Sequence, residues 1–405
     1  MKKRILLMAA VLFGFALNAQ TAGSVAMGAG YANQVYYKLS NGTTNQYPQN
    51  SWDVAFLRTS NFGFATRIND AKNLAVFEAG TTADWATLNV SHESSWTQLY
   101  NSDTEWEKGA FDNGSATYGW GEYNIANHHV TGAVIFVIKY SATSYKKFKI
   151  DDFFSGYTFT YATWDGAGWG ADTTVTLANA TNLTNNFNYY SLETNAPVIA
   201  EPANTDWDLN FTKYNTDLGI MMYGVTGVLH HPSLQVAENV DGSTANLDFS
   251  ADINKIGYDW KTFTGGTYVV DTQKAFFVKY PNGTVYRLKF NTFAGSATGE
   301  ITFNSEDITS LLSTATLENK ASFGVYPNPS TDKKINIVYE LPSGAAEQNT
   351  VSIYSLTGAK VFETKMANTS GFFSQQIDLG ALNAGVYVLQ FQSGDYATTK
   401  KIVLN

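Results

Sequence analysis

Cysteine does not occur anywhere in the 405 residues. Disulfides, thiolate nucleophiles, iron–sulfur clusters and Cys-ligated zinc are therefore excluded. Proline is scarce at 8 residues, and only 15% of the chain is charged. That small charge is acidic in balance, formally −9, so phosphate backbones are repelled and nucleic acid is not an expected partner. No apolar run reaches the roughly 20 residues that a helix needs to cross a bilayer. The longest, Ile5 to Leu17, covers about 13 and lies at the start. A glycine-rich dinucleotide or phosphate loop, a His-Glu-x-x-His and a marked serine elbow are also missing.

What remains is aromatic and glycine-rich: 15% Phe, Trp and Tyr, and 33 glycines. With few stretches of helical periodicity, this composition predicts an all-β chain with many tight turns. At the N-terminus Lys2, Lys3 and Arg4 precede the apolar run, and Ala19-Gln20-Thr21-Ala22-Gly23 follows it. These are the three regions of a secretory signal peptide, residues 1–19, cut after Ala19 by the Sec export route. Lipid attachment after the signal needs a cysteine, so the mature chain is no lipoprotein. It holds about 385 residues, carries a charge near −12 and contains no expected transmembrane segment.

An internal repeat organises the middle. Tyr36-Tyr37-Lys38-Leu39, then Ser51-Trp52-Asp53-Val54-Ala55-Phe56, is answered by Tyr189-Tyr190-Ser191-Leu192, then Asp206-Trp207-Asp208-Leu209-Asn210-Phe211. The first Tyr and the Trp are 16 apart in one copy and 18 in the other. Two hairpins match in turn, Phe136–Tyr140 with Tyr145–Ile150 and Phe276–Tyr280 with Tyr286–Phe290. Pro281-Asn282-Gly283-Thr284 turns the second. A closing strand, Tyr157–Tyr161 or Gly299–Phe303, ends each copy. The repeat predicts two antiparallel β-rich domains, residues 20–183 and 184–305. Alternation places Trp52, Val54 and Phe56 on one face, and Trp207, Leu209 and Phe211 likewise. Asp53 and Asp208 fall on the other, where an Asp accepts backbone N–H bonds in the adjoining turn. A glycosidase would need a second carboxylate at set spacing.

Residues 306–320 are polar and read as a linker. Beyond them, Phe323, Ile335–Tyr339, Val351–Tyr354, Lys360–Glu363, Ser374–Ile377, Val386–Gln390 and Lys400–Leu404 form about seven short alternating runs. Such a series predicts a small Ig-like β-sandwich over 321–405. This region resembles the type A C-terminal sorting domain of the type IX secretion system of Bacteroidota. The resemblance is carried by Val325-Tyr326-Pro327-Asn328-Pro329, Tyr354-Ser355-Leu356-Thr357-Gly358, Leu382-Asn383-Ala384-Gly385-Val386-Tyr387 and Lys400-Lys401-Ile402-Val403. It implies the type IX machinery as partner, passage through the outer membrane, and anchoring at the surface or release.

The repeated units resemble the HmuY-like haem-binding proteins. Ser51–Phe56, Asp206–Tyr214, Tyr223-Gly224-Val225-Thr226-Gly227-Val228-Leu229 and the hairpin from Ala275 to Phe303 carry that likeness. It implies a β-rich fold and haem held by two histidines, from two loops that clamp the disc. The candidates are His128-His129 in the first copy and His230-His231 in the second; His92 lies apart. Each pair finds no equivalent in the other copy, which leaves open a site between copies, one pair from each. Adjacent residues on a strand face opposite ways, so one histidine of each pair ligates.

The aromatics Tyr118, Trp120, Tyr123, Trp164 and Trp169 lie among glycines, where core packing or stacking on a sugar or porphyrin is open to them. Asn239-Val240-Asp241-Gly242-Ser243 lacks a calcium-loop ligand series and reads as a plain turn. The expectation is thus a secreted or surface protein without catalysis that binds haem or a related ligand. The alternative is a structural or adhesive protein with the same fold and no haem site. N-terminal sequencing of the exported protein should begin at Gln20; a start at Met1 contradicts the signal-peptide reading.

Overall fold

The computed structural model describes residues 20–59, 64–240, 242–244, 246–312, 322–341, 349–367, 371–393 and 396–405. The expected signal, 1–19, and most of the linker, 313–320, lie outside them. The described chain forms two compact units, divided at Ile308. It is all-β, with antiparallel sheets joined by short 3-10 turns.

The first unit opens with β1 (Thr21–Ala26), β2 (Asn33–Tyr37), β3 (Thr44–Pro48), β4 (Val54–Leu57) and β5 (Thr66–Ile68). Next come β6 (Ala75–Thr81), β7 (Thr97–Leu99), β8 (Gly121–Asn124), β9 (His129–Gly132) and β10 (Val134–Lys139). They are followed by β11 (Tyr145–Phe153), β12 (Gly156–Thr163), β13 (Thr173–Ala178), β14 (Phe187–Ser191) and β15 (Ala196–Val198). The unit continues with β16 (Leu209–Asp217), β17 (Met222–His230), β18 (Gln235–Asn239), β19 (Lys261–Thr264) and β20 (Thr267–Val270). It closes with β21 (Ala275–Lys279), β22 (Val285–Phe293) and β23 (Glu300–Asp307).

Both expected hairpins form, β10 with β11 and β21 with β22, and β12 and β23 close them. In the second turn Gly283 takes φ +89°, a conformation that suits only glycine, and Tyr280 N–H bonds to the Thr284 carbonyl at 2.8 Å. β23 runs to Asp307, so the linker starts after the position read from sequence.

The pairing of the repeats is reciprocal. β2 of the first copy pairs with β16 of the second, Tyr36 opposite Asn210 and Tyr37 opposite Leu209. β14 of the second copy pairs with β4 of the first, Tyr189 opposite Ala55 and Tyr190 opposite Val54. The two four-stranded sheets are therefore β17-β16-β2-β3 and β15-β14-β4-β5, and β1 likewise edges the late sheet β1-β23-β22-β21-β18. The boundary expected at 183/184 does not divide the sheets. Each stretch completes sheets built by the other, and the cores follow: Tyr190 and Leu192 pack with Val54 and Phe56, while Val35, Tyr37 and Leu39 pack with Leu209 and Phe211.

Asp53 and Asp208 lock this exchange. Asp208 is 2% exposed and accepts from Leu39 N–H at 2.8 Å, Lys38 Nζ at 2.8 Å and Tyr280 O–H at 2.5 Å. Asp53 is wholly buried and accepts from Leu192 N–H and Lys72 Nζ, each at 2.6 Å. Even the backbone is symmetric, since Asp53 N–H bonds to Tyr190 O and Asp208 N–H to Tyr37 O, both at 2.9 Å. Each Asp does accept backbone N–H groups, but they belong to the opposite copy rather than to the preceding turn. The strands begin after the Trp-Asp pair, so alternation does not reach Trp52. It packs edge-on against Tyr189 at 4.9 Å, beside Ala55 and Leu57 rather than with Val54 and Phe56.

The second unit holds the seven expected strands: β24 (Ser322–Tyr326), β25 (Lys334–Leu341), β26 (Asn349–Ser355), β27 (Lys360–Met366), β28 (Gly371–Asp378), β29 (Gly385–Ser393) and β30 (Tyr396–Leu404). They form sheets β24-β25-β28 and β27-β26-β29-β30 around Ile335, Ile337, Ile353, Leu389 and Ile402. The quoted motifs are structural joints. Asn328 donates through Nδ2 to Lys401 O at 2.7 Å and accepts from Val403 N–H at 2.9 Å, pairing with the last strand as a backbone amide would. Tyr387 O–H bonds back to Asn383 O at 2.8 Å, and Lys400 Nζ stands 5.5 Å over the Phe323 ring. Tyr326 is half-exposed.

Removing one buried charge of a paired network leaves its partners stranded, typically costing 3–5 kcal/mol. Asp208→Ala should therefore lower unfolding free energy by about 3 kcal/mol in urea denaturation, and Asp53→Ala by a similar amount. A change within about 0.5 kcal/mol, usual for an inert surface site, contradicts the lock.

Candidate functional site

Among the described residues of the first unit, three hollows are lined by aromatic side chains. The one between the two exchanged sheets is about 50 Å³, lined in part by Trp52, Arg67, Asp70, Trp106 and Asn210. Its charges are already used: Arg67 donates to Glu105 O at 2.7 Å and Ser102 O at 2.8 Å, and Asp70 accepts from Asn215 Nδ2 at 3.0 Å. Room for a few waters, at roughly 10–15 Å³ each, is all it offers. A cleft of about 220 Å³ beside β14 and β15 is walled by Phe187, Pro197, Val198 and Ile199, with no histidine, carboxylate or cation. The third, about 170 Å³, lies at the β8–β9 hairpin and is lined by Phe64, Tyr118, Tyr123, His128, Val130, Phe153 and Phe154. It alone of these joins exposed rings to an imidazole, that of His128; His129 stands beside it, stacked on Phe154.

Local sequence builds it. Trp120, wholly buried, anchors the hairpin base, its carbonyl accepting from Ala133 and Val134 N–H. Gly132 lets β9 lie on β11, because a Cβ there would stand 1.9 Å from Ile150 O. That contact pairs Thr131 with Asp152 and Val130 with Phe153, which brings the Asp152 carboxylate to the hairpin. His129 Nδ1 lies 2.8 Å from both Asp152 oxygens, and its ring stacks on Phe154 at 4.6 Å and 6°. A carboxylate can only accept, so Nδ1 carries the proton, and in the neutral form of the ring the lone pair is at Nε2. His128, at φ +64° in the turn, is exposed, and its Nδ1 is 2.6 Å from the Tyr123 hydroxyl. Tyr118, Tyr123 and Phe154 are each 42–53% exposed.

His230 and His231 have a different task. Both ring nitrogens of His230, which is wholly buried, face carbonyl oxygens, His231 O and Asp252 O, at 2.9 Å each. His231 Nδ1 accepts from Ser233 N–H at 3.1 Å, and its Nε2–H is taken by the Asn204 side chain. Burial, then Lys38 and His230, pushes His231 down to about 4, so it is neutral. Burial also holds His230 below its ordinary value. Neither ring has a lone pair open to a ligand, so His230 and His231 do not stand ready to share an iron with His128 or His129. The structure also supplies the counterpart that sequence did not reveal. His230 faces Leu209 as Ile68 faces Val54. His231 thus matches Asn69, whose Oδ1 accepts from Ala71 N–H at 3.0 Å, again two residues on. Imidazole Nδ1 and asparagine Oδ1 stand equally far along their side chains, so His231 serves as an asparagine in a turn.

Among the other candidates, Trp164 and Trp169 form an edge-to-face pair at 5.1 Å against the sheet core, with Trp169 Nε1–H bonded to Leu88 O. Among the described residues no group of three or more metal-ligating side chains occurs, and no helix is long and apolar enough to cross a membrane.

Residues 324–405, about one fifth of the chain, match the family model of the secretion system C-terminal sorting domain. The chain therefore carries a type IX sorting tail, which directs export to the outer surface for attachment or release. No curated protein matches the chain.

Glu201, 2% exposed, accepts from Phe187 N–H at 2.7 Å and Tyr189 O–H at 3.1 Å, yet burial pushes its carboxyl up to about 7. An acid whose folded value is raised binds its proton more tightly when folded. Its contribution is complete below the unfolded value, near 4.3, and is lost as pH rises through about 7. Glu201→Gln should flatten the fall in melting temperature between those pH values; an unchanged slope contradicts the assignment.

Proposed function

We propose that the protein is a non-enzymatic binding protein of the cell surface or medium, and that the β8–β9 hairpin cleft is its ligand site. Haem is the ligand this reading favours. The observation that carries it is the Asp152–His129 pair beside exposed rings. A carboxylate on Nδ1 fixes the tautomer and raises the basicity of Nε2, as it does for histidines that ligate metals. Tyr118, Tyr123 and Phe154 offer faces on which a flat macrocycle stacks.

The fit is to one face. A cleft of about 170 Å³ is smaller than the roughly 300–1,000 Å³ that encloses a drug-sized ligand. The seat would be shallow, with His129, at the edge of the cleft against Phe154, as sole axial ligand. The engagement of His230 and His231 favours the second reading, an adhesive protein with the same sheets and no haem.

Haemin titration of the mature protein should shift the Soret band. His129→Ala should abolish the shift, and Asp152→Asn should weaken affinity about tenfold, the lower end of such outer-shell effects. No shift, or an undiminished one in His128→Ala/His129→Ala, rejects haem at this hairpin.

A further inference from the structure

The second half carries its own projecting hairpin, β19–β20, set on the wholly buried Trp260 as β8–β9 is set on Trp120. It bears no histidine. Phe263 and Tyr268 are cross-strand partners with centroids 5.0 Å apart, 65% and 37% exposed. Tyr268 meets Phe293 at 4.6 Å, and Phe293 stacks on the half-buried Tyr31 at 6.1 Å and 8°. Gly295 makes room for the Tyr268 ring, because a Cβ there would lie 3.3 Å from its edge. Beneath, Lys261 Nζ donates to Thr226 O at 2.6 Å and lies 4.9 Å from the Phe293 centroid. The result is a supported run of neighbouring rings.

We propose that this run, Phe263, Tyr268 and Tyr31, is a binding platform for a neutral polysaccharide. Sugar rings present C–H faces that stack on aromatic rings, and hydroxyls that bond to neighbouring hydroxyls. Tyr31 and Tyr268 carry phenol hydroxyls on the rings themselves, and no charged residue occurs from Thr262 to Val270. Successive rings provide more than one stacking position, as a chain of sugars requires.

Charge excludes the rivals. A porphyrin or nucleic acid brings anions, but Lys261 is buried and engaged, and Lys274 is paired with Asp259 at 2.7 Å and Glu238 at 2.9 Å. A protein partner or second copy needs about 800 Å² on each side, more than a hairpin of two four-residue strands presents. The platform is independent of the haem reading, since it shares no residue with the β8–β9 cleft.

The test is native affinity electrophoresis of the full mature chain in gels holding a soluble β-glucan, a xylan or a mannan. At least one should retard it. Phe263→Ala/Tyr268→Ala should weaken that retardation about tenfold or more, two aromatic contacts being removed. Tyr268→Phe should retain it, and Tyr123→Ala/His129→Ala should leave it unchanged. An unaltered melting temperature for the alanine pair would show the fold intact. Retardation in none of the gels, retardation that survives the alanine pair, or loss in the Tyr123/His129 variant overturns the platform.

Discussion

Two buried carboxylates hold the larger unit in its form. Asp53 and Asp208 each take N–H groups just past the other copy's Tyr-Tyr strand, and each is paired with a lysine. A buried carboxylate left unpaired is costly, so the lock favours the one register in which both are satisfied. The consequence reaches both cores, because Leu39 and Leu192 follow the clamped strands into the opposite half. Burial by the same packing raises Tyr140 and Tyr280 well above the ordinary phenol value, next to Asp53 and Asp208.

Much of the strand content is legible in the amino-acid order. Alternation and turn residues locate the hairpins and the seven tail strands, since both depend on local order. The exchange is not legible, for a physical reason. Tyr36-Tyr37 and Tyr189-Tyr190 are the same dipeptide before a near-identical Trp-Asp strand, so pairing at home or abroad buries the same side chains. Local pattern states that a strand exists and which face is buried, but a duplicated sequence offers two equivalent partners. The histidines mislead differently. His231 does the work of Asn69, and residue type alone does not distinguish a turn acceptor from a ligand. Asp152 beside His129 escapes a sequence reading because the contact depends on Gly132 resting on β11.

The duplicated fold carries unequal hairpins. One places imidazoles and a carboxylate among tyrosines; the other places a phenylalanine and a tyrosine among threonines. Each is held by a buried tryptophan and lies outside the main path of the sheets, so its tip can vary without disturbing a core. Such divergence on a common frame is found in a protein whose tail delivers it to the cell exterior.

The reciprocal exchange is tested most directly by cutting the chain at Leu183, which is 72% exposed between the repeats. A protease site placed there, once cleaved, should leave the two pieces co-eluting as one folded particle, since each supplies strands to the other. Separation into two independently folded pieces would contradict the exchange.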